Sequence, residues 1–221
     1  GRFVAAMYSQ AYLEDEPSSA AVMRCIETGL VSIPQDSAYA KVIRDVIDGY
    51  RRHPDNWLAT WQEIQDKWGE TDLCPDGQGK DLNIDAKLNG AYIVMGLLYG
   101  EGDMARTLEV STRCGQDADC NPSNAAGVLG ALYGYSRLPA EYTSGIPALT
   151  GKRFEYTDCD YPQLVGKSLK VLVRVVREAG GRVTGSGAEA VVEIPVQKPR
   201  PPDKLEQMAA VLTSAQRKAD D

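Results

Sequence analysis

Gly115-Gln116-Asp117-Ala118-Asp119-Cys120-Asn121-Pro122 leads into Ser123-Asn124-Ala125-Ala126-Gly127-Val128-Leu129-Gly130-Ala131-Leu132-Tyr133-Gly134-Tyr135, and this stretch decides how the chain is read. Asp117 and Asp119 stand two residues apart, so an extended backbone puts both carboxylates on one side. Two hard carboxylates, with the Asn121 amide or backbone carbonyls beside them, suit Mg²⁺ or Ca²⁺ better than zinc. A bare Asp-x-Asp also serves as a solvated turn or a helix cap. Asn121 is a good N-cap type and Pro122 suits a first helical position, which predicts a helix over about 123–135. Its positive end would favour a phosphate nearby. Gly127, Gly130 and Gly134 make one face of that helix almost bare. Each glycine costs about 0.8–1 kcal/mol relative to alanine in a helix interior, so close approach of another helix is expected to offset the loss.

Working outward, apolar spacing predicts helices almost everywhere before this motif. Phe3, Ala6, Met7 and Ala11 share a face of the first; Val22, Cys25, Ile26 and Leu30 mark the second, read over about 18–28. Ile33-Pro34 stops it, and Asp36 or Ser37 caps a third helix, about 37–52, with Val42, Ile43, Val46, Ile47 and Tyr50 apolar. Trp57, Trp61, Ile64 and Trp68 form an i, i+4, i+7, i+11 stripe read as core. Residues 69–85, with Cys74-Pro75-Asp76-Gly77-Gln78-Gly79, read as a long loop, a length often tied to function. Helix returns at 86–99, and again after the Asp103 cap as far as Cys114. The Asn83–Asp85 pair reads first as a cap for the 86–99 helix and second as lining of the cleft at Asp117.

After Pro139 the chain becomes rich in proline, tyrosine and glycine, with a helix near 162–179 and a short β-type run, Ala190-Val191-Val192-Glu193-Ile194. The expected organisation is a helical core over 1–149, a small α/β appendage over 150–199, and a linker with a charged terminal helix over 200–221. Lys198-Pro199-Arg200-Pro201-Pro202 is the stiff start of that linker.

The whole chain has 221 residues, 43% hydrophobic and 25% charged, with Lys+Arg 24 against Asp+Glu 31 and a net charge of −7. That composition supports a real core and argues against disorder in the bulk of the chain. It leaves no basic footprint for nucleic acid. With one histidine, His53, a multi-histidine zinc site is excluded; at a helix end beside Pro54, His53 reads as a cap complementing the dipole. Five scattered cysteines without a CxxC pair point to free thiols and a reducing, cytoplasmic compartment. The chain does not start with Met, which leaves a lost signal peptide or a lost domain open. No stretch approaches 18 apolar residues in a row. Oligomeric state has no signature.

The 115–121 string, together with Ala125-Ala126-Gly127 to Gly134, resembles the C-terminal metal motif of the ADP-ribosylglycohydrolase family. Phe3-Val4-Ala5-Ala6-Met7, Ile33-Pro34 before the Ser37 helix, and the 91–100 helix before the motif follow the family's order, so the resemblance covers about residues 1–140. It implies a mainly α fold, an orthogonal multi-helix bundle of the ADP-ribosylglycohydrolase type, here with the small C-terminal α/β appendage. It implies two Mg²⁺ ions that bind ADP-ribose and help hydrolyse an N- or O-glycosidic bond to it. The partners implied are ADP-ribosylated substrates or a small nucleotide sugar. Asp117 and Asp119 are then the metal ligands. In a hydrolase of this kind Asn121 or the helix start near Ser123 is expected to approach the ligand, and Asn83 and Asp85 secondarily to line the same cleft. Two departures stand out. Cys120 replaces an oxygen-bearing neighbour and is a poor Mg²⁺ ligand, and the family's Thr/Ser-Asp-Asp cluster has no counterpart in this chain. Half of a two-metal clamp is not a catalyst by itself. The expectation is therefore either a piece of a longer Mg²⁺-dependent hydrolase or a non-catalytic helical binding or scaffold protein that keeps the fold.

Overall fold

A computed structural model describes residues 1–71 and 84–202. Asn83, most of the long loop and the expected terminal helix fall outside the described residues. Backbone contacts separate the chain into one unit of residues 1–132, rejoined from Pro199, and a second unit, Tyr133–Lys198.

The first unit is built from α1 (Arg2–Ala11), α2 (Ser19–Val31), α3 (Ala38–Arg52), α4 (Trp57–Trp68), α5 (Ala86–Gly100), α6 (Met104–Arg113) and α7 (Cys120–Tyr133), whose last residue opens the second unit. Side-chain caps start most of them. Ser18 accepts from the Ala21 amide at 3.2 Å, Ser37 from Ala40 at 3.1 Å, Asn56 from Ala59 at 3.2 Å and Asp103 from Arg106 at 2.7 Å. Each relieves one of the amides a helix start leaves without a partner.

At the centre lies α5, Ala-Lys-Leu-Asn-Gly-Ala-Tyr-Ile-Val-Met-Gly-Leu-Leu-Tyr-Gly, apolar on every side and buried from Leu88 to Gly100. A helix without a polar face must be surrounded, and α2, α3, α4 and α6 pack against it. α3 buries Val42, Ile43, Val46 and Ile47, the stripe that its spacing predicts. α6 comes closest, because Gly96 and Gly100 leave it room: a Cβ on Gly96 would stand 2.6 Å from the Ser111 Cβ and 3.0 Å from the Thr107 carbonyl. α4 departs from its predicted role. Thr60 and Ile64 are its buried residues, while Trp57, Trp61 and Trp68 are half-buried. Their rings cover the rim of the core and their N–H groups need acceptors: Trp61 Nε1 donates to the Cys114 carbonyl at 2.9 Å and Trp68 Nε1 to Asp45 at 2.7 Å. His53 closes α3 as expected, with Nε2 2.9 Å from Glu63 Oε1.

The second unit holds a short α8 (Ala140–Thr143), the amphipathic α9 (Tyr161–Glu178) and an antiparallel hairpin of β1 (Arg182–Thr184) and β2 (Val191–Glu193), with Arg182 opposite Glu193. A capping box starts α9: Gln163 N donates to Asp160 Oδ1 at 2.9 Å, and Asp160 N donates to Gln163 Oε1 at 3.1 Å. The fold is thus mainly α with a small α/β appendage. Among the described residues, no helix is long and apolar enough to cross a membrane.

Candidate functional site

Between α6 and α7 the chain reverses through a tight loop. Gly115 has φ +90° with nothing crowding its missing Cβ, and Gln116 follows at φ +54°. Two successive residues in the left-handed region explain the glycine, since only glycine enters that region without steric cost. The Trp61 indole holds the loop's entry at the Cys114 carbonyl. The rest is held from below by α5: Asn89, buried at 7% exposure, bonds the Asp117 amide, the Gln116 side chain and the Asn121 side chain.

The loop delivers Asp117, half-buried, and Asp119 and Cys120, both exposed, with one ligand atom from each lying within 4.8 Å of the others. Asp117 Oδ1 accepts from the Cys120 amide at 3.3 Å, and α7 begins there, nearly a turn before the predicted start at Ser123. Asn121 is therefore not the cap. The first amides of α7 are already used: Asn121 N donates to the Asp117 carbonyl at 3.0 Å and Ser123 N to the Asp119 carbonyl at 3.2 Å. The expected attraction of phosphate to free amides at this helix start finds no support in that arrangement.

Electrostatically the carboxyls are a pair. A hydrogen bond with the Asp117 carboxyl holds the Asp119 carboxyl below its usual range, helped by the backbone amides of Asp119 and Cys120. The Cys120 thiol is pushed up, first by donating to the Asp117 carboxyl and then by the negative charge there. Two adjacent carboxylates repel each other, and a shared proton or a cation between them relieves that repulsion. Open to solvent, the pair fits Mg²⁺, an ion that keeps several of its own waters while binding one or two carboxylates. The thiol does not fit it.

Of the other sequence-predicted residues, Ser123 is exposed on the first turn of α7 and Asn121 is 1% exposed, its amide nitrogen 2.7 Å from Asn89 Oδ1. Asp85 caps α5, accepting from the Lys87 amide at 2.7 Å, and its backbone carbonyl accepts from Asn89 Nδ2 at 3.0 Å. Asn83 lies outside the described residues. Asn89, Gln116 and Trp61 were not singled out in the sequence as site residues. The signal for Asn89 was nonetheless present: a carboxamide inside a helix that is otherwise apolar all round must be bonded to something.

Gly127 has the close approach expected of the bare face of α7, although its neighbour is the hydroxyl end of Tyr8 on α1. Gly134 instead ends the helix, at φ +66°. The described cysteines, Cys25, Cys114, Cys120 and Cys159, are all free. Clefts of about 550 and 390 Å³ belong to the second unit, against Arg182 and Glu193 and against Lys167 and Lys170, and neither includes the aspartates.

Comparison with curated proteins and with solved structures finds no match. A family model described as ADP-ribosylglycohydrolase matches residues 1–178, from α1 to the end of α9 with the Asp117–Asp119 loop inside. The chain belongs to the ADP-ribosylglycohydrolase family, a family of glycosidases acting on bonds to ADP-ribose.

Proposed function

We propose that the chain carries one side of a divalent-cation site, with Asp117 and Asp119 as Mg²⁺ ligands, in a hydrolase of N- or O-glycosidic bonds to ADP-ribose. The observation that carries the reading is the carboxylate pair itself, brought together within 4.8 Å on a loop tied to a buried helix. Mg²⁺ held there would polarise an oxygen and activate a water for attack at the anomeric carbon. The protein's own part is to hold the two carboxyl groups side by side, and to leave them open enough that substrate oxygens and water complete the coordination. Ser123, exposed on the first turn of α7, is the hydroxyl that would face a ligand there.

The test is Mg²⁺-dependent release of ADP-ribose from modified protein by the full-length chain. The Asp117→Asn, Asp119→Asn double variant is expected to lose it; wild-type rates in that variant would refute the assignment. One observation favours a second reading. Cys120 stands where an oxygen donor is expected and spends its thiol on Asp117, an arrangement suited to a protein that binds ADP-ribose without turning it over. Calorimetric binding of ADP-ribose that is indifferent to Mg²⁺, with no product formed, would establish that reading instead.

A further inference from the structure

Asn89 lies in the first turn of α5 and is the only carboxamide in that helix. A carboxamide has two donor hydrogens and one oxygen with two lone pairs, and here every one is used. Nδ2 donates to the Asp85 carbonyl at 3.0 Å and to Gln116 Oε1 at 3.0 Å. Oδ1 accepts from the Asp117 amide at 3.1 Å and from Asn121 Nδ2 at 2.7 Å. Three of the four bonds run to the 116–121 segment, and one of them ends on the backbone of Asp117 itself. That segment contains the left-handed Gln116, a conformation that persists only where the surroundings fix it.

We propose that Asn89 is a positioning residue for the candidate cation site: through the Asp117 amide, Gln116 and Asn121 it fixes where the Asp117 and Asp119 carboxylates stand, and so sets their affinity for a divalent ion. The inference rests on the cation reading of those two aspartates. Asn89 has no ligand role of its own. Removing outer partners of metal ligands typically weakens binding about 10–100-fold.

The experiment titrates the full chain with Mn²⁺, which takes the same oxygen ligands and reports its coordination by electron paramagnetic resonance, and follows amide hydrogen exchange at Asp117. Asn89→Ala is expected to weaken Mn²⁺ binding roughly 10–100-fold and to accelerate exchange at Asp117. Asn89→Asp keeps both acceptor bonds, to the Asp117 amide and to Asn121, but loses the donor bonds to the Asp85 carbonyl and Gln116; it is expected to bind Mn²⁺ more tightly than Asn89→Ala while staying below wild type. Thr60→Val removes an equally buried hydrogen bond elsewhere, Thr60 to Tyr99 Oη at 2.7 Å; it is expected to lower the melting temperature and leave Mn²⁺ affinity unchanged. Wild-type affinity in folded Asn89→Ala, or equal affinity losses in Asn89→Ala and Thr60→Val, would overturn the proposal. If Asn89→Ala does not fold, Asn89→Ser, too short to reach the Asp117 amide, takes its place under the same criterion. If the wild-type chain binds no Mn²⁺, the cation reading fails and exchange at Asp117 decides the role of Asn89: acceleration confined to the 116–121 segment keeps it as the residue that fixes the loop, and unchanged exchange overturns it.

Discussion

Thr107 offers an unusual prediction, a stabilising substitution in the middle of the core. It lies on α6 where that helix presses on α5, at 0% exposure, and its Oγ1 is a fully buried polar atom without a hydrogen-bond partner among the described residues. The hydroxyl occupies the space that a Cβ on Gly100 would need. A buried hydroxyl left unpaired forgoes about 1–3 kcal/mol of hydration. Thr107→Val removes that penalty while keeping the branched shape, and the two residues have similar helix propensity. Against this, a methyl is larger than a hydroxyl, and overfilling a tight contact costs about 1 kcal/mol at the low end of the usual range. The net expectation is a gain of about 1 kcal/mol, or roughly 2–4 °C in melting temperature for a chain of this size. Urea unfolding is the assay: the midpoint rises while the slope stays constant, because the surface exposed on unfolding is the same. Thr107→Ala is the companion variant, since it removes the hydroxyl but also leaves a hole, and it is expected to destabilise. A Thr107→Val protein less stable than wild type by 1 kcal/mol or more would refute the reasoning, because the hydroxyl would then have to be contributing a bond.

Gly96→Ala is expected to destabilise by about 1–3 kcal/mol, since its Cβ meets the Ser111 Cβ at 2.6 Å and a backbone carbonyl at 3.0 Å; Gly127→Ala, whose Cβ meets the Tyr8 hydroxyl and, at 3.0 Å, the ring carbon that bears it, is expected within about 1 kcal/mol of wild type because the half-buried Tyr8 ring can swing aside and the gain in helix propensity offsets the shift. Paired denaturation curves check both. The Glu14 carboxyl is held below its usual range chiefly by its hydrogen bond to Arg24, so its contribution to stability is complete above its unfolded pKa and disappears as pH falls through the lowered folded value; Arg24→Gln is expected to flatten that acid limb of a stability–pH curve. Burial pushes the Cys25 thiol up to about 12 and the Cys114 thiol well above its ordinary range, so both are expected to stay silent towards a thiol reagent in the native protein while the accessible Cys120 and Cys159 react; Cys120→Ser is expected to remove one signal, the slower of the two because the Asp117 carboxyl raises the Cys120 thiol.

Most of the helical frame was legible because it depends on local rules. The α3 stripe and the Ser37 cap are a periodicity and a hydrogen bond three residues away, and both need nothing from the rest of the chain. The α4 tryptophans show the limit of periodicity. It identifies a shared face, but whether that face is core or rim depends on where an acceptor waits for each indole N–H, and those acceptors, Cys114 and Asp45, come from other helices. The start of α7 misled for a related reason. Asn121-Pro122 is a sound cap and first-turn pair, yet Asp117 reaches the Cys120 amide first and the helix begins there. Caps compete, and a carboxylate three residues upstream wins when the loop before it is fixed by something else. That something is Asn89, 28 residues away in sequence from Asp117.

The candidate site is thus a consequence of how the apolar centre is closed. Because α5 has no polar face, it must be covered by α6, and Gly96 and Gly100 let α6 lie close enough for Ser111 and Thr107 to touch it. The chain therefore leaves α6 at Cys114 close above α5, where Trp61 takes the last carbonyl and Asn89 is the buried group still in need of partners. A loop that turned in any other way would strand that carboxamide, so the left-handed turn at Gly115 and Gln116 is selected by the interior rather than by the solvent side. Presentation of the Asp117 and Asp119 carboxylates follows from the same constraint. Accordingly, a substitution that lifts α6 from α5, such as Gly96→Ala, is expected to disturb the aspartate pair as well as the core, whereas Gly127→Ala, beyond the loop, is expected to spare it.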